Sequence, residues 1–454
     1  MGYRLLRRFA RLLLALFYRR VEVVGAERIP ATGPLIVAAN HQNALVDPMM
    51  LLGTVPRRLR PIAKAPLFRH PLVGPFLRLT GALPVHRRQD PGSDPARNEA
   101  IFREAAGTLA TGGAILIFPE GVSQAEPTLM PLRTGAARLA LAAESASGGR
   151  LGLILLPVGL VYHEPGRFRT GWSLTLIGEP LPLADAVALY RTAPEAAVRR
   201  VTDRLAEALG QLIVEARDRK LLRLAEVAEA IWRAESSGPG DVAARAEWVK
   251  MAIRGYRYLL TREPARIEAL MRATERYAKD LELAGLTDRQ LAQTYPAAVV
   301  WRYAWREGLS LLGGLPLGLW GVLSHALPYQ LTRAAVRLAR PDPDVEATYK
   351  IVAGVVLYPL GWLLEGWIAW RLGGGWLLAL FSLALLPAGF LALTWWERLS
   401  RVGREVRGFF RFLVDRDFQR RLLARRHALM EELTALARQV PGRVLVGGSS
   451  SEGQ

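Results

Sequence analysis

The chain has 454 residues, a net charge of +19 and no cysteine. That length allows two or three domains, and the lack of cysteine excludes disulfides, thiolate metal sites and a cysteine nucleophile. The positive excess, carried almost wholly by arginine, calls for a polyanionic partner; long apolar runs beyond residue 309, with no nucleic-acid-binding motif, point to an anionic lipid surface.

Residues 1–20 place Leu5, Leu6, Phe9, Leu12, Leu13, Leu16 and Phe17 on one helical face, with Arg4, Arg7, Arg8 and Arg11 mostly off it. This predicts an amphipathic helix on the membrane surface, the alternative being a helix packed on the domain that follows. A cleaved leader is not expected, because Arg19 and Arg20 stand where small residues would be needed. Residues 21–184 read as an α/β domain, with strands near 21–24, 35–39, 60–63, 114–118, 153–161 and 173–177 and helices near 98–110 and 132–143. Over 185–300 the strand patterns give way to a helical region, broken at Ser236-Ser237-Gly238-Pro239-Gly240.

Membrane segments are expected over 305–397. The stretches 351–370 and 376–396 each suit a span, joined by a turn at Gly373-Gly374-Gly375. The stretch 309–331 holds Gly313, Gly314, Pro316, His325 and Pro328. Arginine-rich sequence on both flanks, if both are cytoplasmic, calls for an even number of crossings, which favours a re-entrant or interfacial 309–331, a further span being the alternative. A basic helical tail (398–440) and a Gly/Ser-rich, disordered end (441–454) complete the reading.

Four blocks carry candidate chemistry. In Asn40-His41-Gln42-Asn43-Ala44-Leu45-Val46-Asp47-Pro48 a histidine follows a buried strand and an aspartate comes six positions later. Acylation of an alcohol needs a base near neutral pKa, and a carboxylate on the second ring nitrogen would fix the tautomer. Asp47-Pro48 would equally serve as the cap and first turn of a helix. In Gly81-Ala82-Leu83-Pro84-Val85-His86-Arg87-Arg88 a short strand ends on arginines suited to phosphate, or simply solvated. The third block, Ile117-Phe118-Pro119-Glu120-Gly121-Val122-Ser123, is followed by Arg133 ahead of a helix. There a glutamate could bind a polyol, glycine would permit close approach, and Arg133 could meet the phosphate at the helix N-terminus. The fourth, Leu155-Leu156-Pro157-Val158-Gly159-Leu160, is either an acyl-chain slot or a plain core strand.

In this order, from about residue 21 to 181 and including Ala63-Lys64-Ala65-Pro66 and Phe168-Arg169, the blocks closely resemble the glycerol-phosphate and lysophosphatidic acid acyltransferase superfamily. The resemblance implies that family's catalytic domain, a mixed sheet flanked by helices, with His41 and Asp47 as the catalytic dyad. It implies substrate binding by Arg87, Glu120, Gly121, Arg133, Lys64, Asn43 and Ser123, and an acyl channel at Pro157 and Val158. Five residues rather than the commoner four separate His41 from Asp47, and Val122-Ser123-Gln124 replaces the usual Thr-Arg-Ser. Both features resemble the branch of fungal dual-specificity glycerol-3-phosphate/dihydroxyacetone-phosphate acyltransferases. The expected activity is acyl transfer to glycerol-3-phosphate or dihydroxyacetone phosphate, with lysophosphatidic acid the alternative acceptor. A non-catalytic phosphatidic acid-binding protein is the rival of another class. Acyl-CoA or acyl carrier protein would be the co-substrate, with no cofactor and no metal, at a membrane with the catalytic domain facing the cytoplasm.

Overall fold

A computed structural model of the chain describes residues 2–71, 73–86, 95–126, 128–169, 171–213, 258–259, 262–284, 288, 291, 297–414 and 416–439. Two compact units emerge, Met1–Arg217 with Ala339–Val352, and Asp218–Leu338 with Ala353–Gln454.

The first unit is built on a seven-stranded sheet ordered β1-β7-β6-β2-β5-β3-β4. Its strands are β1 (Arg20–Val24), β2 (Leu35–Ala39), β3 (Leu59–Lys64), β4 (Leu83–Val85), β5 (Ala114–Ile117), β6 (Ile154–His163) and β7 (Trp172–Ile177). The pairs are parallel except β6 with β7. The central strand β2 is buried along its whole length, which its unbroken apolar run, Leu-Ile-Val-Ala-Ala, requires of a strand covered on both faces. Alternation divides it between two cores. Ile36 and Ala38 join the cluster under α4 (Pro95–Ala110), α5 (Gly135–Ala146), α6 (Ala184–Tyr190) and α7 (Pro194–Leu212). Leu35, Val37 and Ala39 join the cluster under α1 (Gly2–Phe17) and α2 (Val46–Thr54). A short helix, α3 (Val73–Thr80), leads into β4.

Helix α1 packs on the domain that follows it and leaves part of its apolar face open. Ala10, Leu14 and Phe17 are buried in the core it shares with α2, while Leu5, Phe9 and Leu12 stay exposed. Tyr3 and Arg11 tie its outer turns to the Arg57 and Gly53 carbonyls.

The second unit is helical among its described residues. Helices α8 (Pro264–Ala284) and α11 (Arg416–Gln439) are cross-linked by Arg266–Glu432 and Arg425–Asp280 pairs. A buried Arg426–Asp288–Tyr277 network lies beside them. Helix α9 (Ala297–Ala339) is continuous through Pro316 and Pro328, so the stretch 309–331 is unbroken helix. Proline removes one backbone bond and kinks a helix, and an apolar neighbour can hold it together. Here Pro328 packs on Gly361 and Trp395 Nε1 donates to the Leu311 carbonyl. Helix α10 (Glu346–Val414) breaks at Gly374, φ 68°, as the triple glycine predicts. A Cβ on Gly366 would lie 3.3 Å from Leu378, whereas twelve residues of unbroken helix span about 18 Å. The chain therefore doubles back there into a helical hairpin. Trp305–Ala339 and Glu346–Ser400 are long and apolar enough to cross a membrane. The serine–glycine break near 236–240 and the tail 441–454 lie outside the described residues.

Candidate active site

The site forms where parallel strands end. β2, β5, β3 and β4 deliver their carboxyl ends to one edge of the sheet, the edge at which open α/β sheets bind ligands. His41 follows β2, Glu120 follows β5, Lys64 closes β3, and His86 follows β4. Arg87, the expected phosphate ligand one step further, lies outside the described residues.

Asn40 fixes the exit from β2. Its buried amide accepts from Leu160 N at 2.6 Å and donates to Leu160 O at 2.9 Å, continuing the ladder to β6 by a side chain. His41 is then held at three points. Its amide donates to Glu120 Oε1 at 2.7 Å, its carbonyl accepts from Gln124 N, and its ring stacks on Phe118 with centroids 4.2 Å apart. Its Nδ1 meets Asp47 Oδ2 at 2.8 Å, with Asp47 fully buried. Nδ1–H then donates to the carboxylate, which leaves Nε2 as the basic edge.

Asp47 does not cap α2; Leu45 holds the cap position, and the carboxylate turns back over the preceding loop. Oδ2 also accepts from Gln42 N at 2.7 Å and Asn43 N at 2.8 Å, while Oδ1 accepts from the Tyr162 hydroxyl at 2.6 Å. Four donors thus offset the cost of burying this carboxylate. Burial, then the charge of Asp47, pushes the Tyr162 phenol well up, and the same two causes raise Tyr18. Both tyrosines stay protonated as donors; Tyr18 donates to the Pro165 carbonyl.

Several residues expected to bind substrate make structural hydrogen bonds within the site. Glu120 is buried, and its second oxygen accepts from Met130 N at 3.0 Å, so the carboxylate clamps two loops together. Burial raises its pKa against those hydrogen bonds. Asn43 is buried as well, donating from Nδ2 to the Tyr18 hydroxyl at 2.9 Å. Ser123 Oγ donates to Asp344 Oδ2 at 2.5 Å, a partner 221 residues away. Val158 is fully buried in the core with Val37 and Leu160, and the Pro157 carbonyl accepts from Gly178 N. Both take the structural part of a core strand.

Gly121 and Arg133 lie side by side. Gly121 has φ 75°, and a Cβ there would lie 2.7 Å from Arg133 Nε. Only glycine lets this turn lie under the exposed guanidinium, which stands just ahead of α5. Tyr18, Phe118, Tyr162, Asp344 and Thr348 complete the surroundings without local sequence signals. Tyr162 lies near the end of an apolar strand, 115 residues from its partner, so only the fold could reveal it.

Residues 20–161 match the acyltransferase family model. The chain carries an acyltransferase domain. An uncharacterized acyltransferase of Schizosaccharomyces pombe is 24% identical, over 77% of this chain and 66% of its own length. Glycerol-3-phosphate O-acyltransferase 1 of Saccharomyces cerevisiae is 21% identical over 76% of this chain and 58% of its own length. The 1-acyl-sn-glycerol-3-phosphate acyltransferase of Bacillus subtilis is 29% identical over 36% of this chain and 75% of its own. The chain thus spans about two thirds or less of the length of the two yeast relatives. The matched residues contain all four site blocks and run from the start of β1 almost to the end of β6.

Proposed function

We propose that this acyltransferase moves a fatty acyl group from a thioester, acyl-CoA or acyl carrier protein, to a hydroxyl of glycerol-3-phosphate or dihydroxyacetone phosphate at a membrane. The observation that carries this reading is the buried Asp47 bonded to His41 Nδ1 at 2.8 Å. His41 Nε2 takes the proton of the acceptor hydroxyl as its oxygen attacks the thioester carbonyl. The tetrahedral intermediate collapses, the carbon–sulfur bond breaks, and the imidazolium returns its proton to the leaving thiolate. One ester and one thiol result, with no acyl-enzyme; the sequence has no cysteine to form one. Arg133, with Arg87 and Lys64, supplies positive charge for the acceptor phosphate.

Glycerol-3-phosphate is the favoured acceptor because the alignment with the yeast glycerol-3-phosphate enzyme continues over 76% of the chain, well past the catalytic domain. The Bacillus relative, more similar over a shorter stretch, supports lysophosphatidic acid as the second reading. The two apolar helices and the exposed Leu5, Phe9 and Leu12 of α1 favour residence at a bilayer, where the product belongs.

Purified protein in detergent, given palmitoyl-CoA and radiolabelled glycerol-3-phosphate or lysophosphatidic acid, tests the reading. Label entering lysophosphatidic acid from glycerol-3-phosphate is the expected result. Product from lysophosphatidic acid alone moves the enzyme one step later, and no product from any acceptor with either thioester carrier overturns acyl transfer.

A further inference from the structure

Three loops meet at the turn that carries the dyad: residues 40–45 after β2, residues 118–126 and 128–134 after β5, which hold His41, and residues 164–169 after β6, where the Pro165 carbonyl accepts from Asn43 Nδ2. Each is held by a residue from one remote stretch, the connector 340–351 that joins α9 to the first turns of α10. The Leu45 amide donates to Thr348 Oγ1 at 3.2 Å. Ser123 Oγ donates to Asp344 Oδ2 at 2.5 Å. Lys350 Nζ donates to the Gly166 carbonyl at 2.7 Å and also pairs with Glu346. Between these polar ties, Ala347 and Ile351 are buried in the same core cluster as Val46, the residue beside Asp47. The connector clusters with the acyltransferase unit although the chain on either side of it belongs to the other. A tether between two helices needs none of this burial.

We propose that the connector is part of the active site, with Thr348 a positioning residue for the His41–Asp47 turn and Asp344 a positioning residue for the acceptor-side loop that carries Ser123. The inference rests on the acyl-transfer reading above. Ala44 stands at φ 26°, a conformation alanine keeps only where its surroundings fix it, and the next amide is the one Thr348 receives. Loosening that turn disturbs the dyad and therefore the chemical step. Ser123 precedes Gln124, whose amide holds the His41 carbonyl, and it lies in the same turn as Gly121 beneath Arg133. Losing its charge-assisted bond to Asp344 disturbs the acceptor side.

Steady-state kinetics separate the two. Thr348→Val keeps the shape but removes the acceptor oxygen, and is expected to lower kcat about tenfold with both KM values unchanged. Asp344→Ala is expected to raise acceptor KM about tenfold while donor KM stays put, and Asp344→Asn, which retains an acceptor oxygen, to recover most of it. The double variant Ser123→Ala with Asp344→Ala should be no worse than either single one. Wild-type kinetics in Asp344→Ala, equal shifts for donor and acceptor, or multiplying losses in the double variant would overturn the proposal. Should Asp344→Ala not fold, Ser123→Ala, Asp344→Asn and their double carry the comparison. Multiplying losses again count against the proposal. An inactive wild type defeats the acyl-transfer reading and this one with it; an active wild type with unmoved variants defeats this one alone.

Discussion

Asp47 receives hydrogen bonds from His41 Nδ1, two loop amides and Tyr162, so its carboxylate determines both which imidazole tautomer is present and how the turn is shaped. An asparagine there could present its amide hydrogens to the ring and reverse the tautomer. Asp47→Asn is expected to lower kcat by about 10²–10⁴-fold with little change in acceptor KM, read from steady-state rates. Glu120 behaves differently. Its pKa is raised in the folded protein, chiefly by burial, above the ordinary 4.5. Its contribution to stability is therefore complete below that ordinary value and is lost as pH rises through the raised one. The stability advantage of wild type over Glu120→Gln should shrink as pH climbs from about 4.5, measured by thermal unfolding across pH. At this scale the sequence was legible where partners are close in the chain: His41 and Asp47 share a nine-residue block. It was not legible for Tyr162 or Asp344, which reach the site from other elements, nor for the inward turn of Glu120 and Asn43, since residue type alone does not distinguish a ligand from a brace.

The elements were easier to read because periodicity is local. The fully apolar β2 could only be a central strand, and the glycine triplet before Trp376 marked the break that the hairpin uses at Gly374. Helix α9 shows what local signals leave open: it holds Pro316 and Pro328, and Trp395 and Gly361 pack along a helix that runs through both. Tertiary packing decides such a case. Gly121 illustrates the converse, a position where the backbone dictates the residue. Gly121→Ala forces a side chain into a left-handed turn and into Arg133. It is expected to cost about 1–2 kcal/mol of stability from the backbone alone, seen in chemical denaturation, together with a higher acceptor KM.

In the molecule as a whole, the polar, arginine-rich α/β unit and the long apolar helices divide by composition, and the proposed function assigns chemistry to the first and bilayer residence to the second. The uneven spread of apolar residues made that division visible, whereas the connector was invisible because its role depends on where the fold returns it. The natural absence of cysteine makes topology directly measurable. A single Thr192→Cys, on the exposed surface of the acyltransferase unit, should react with a membrane-impermeant maleimide only after the cytoplasmic membrane is opened. Labelling in intact cells would place the catalytic unit on the other side.

The measurement that bears most directly on the account is kcat/KM for acyl transfer to glycerol-3-phosphate by His41→Ala beside wild type, with folding verified by circular dichroism. If His41 Nε2 is the base, the variant loses at least about 10²-fold. A folded His41→Ala protein within a few-fold of wild type would contradict the mechanism.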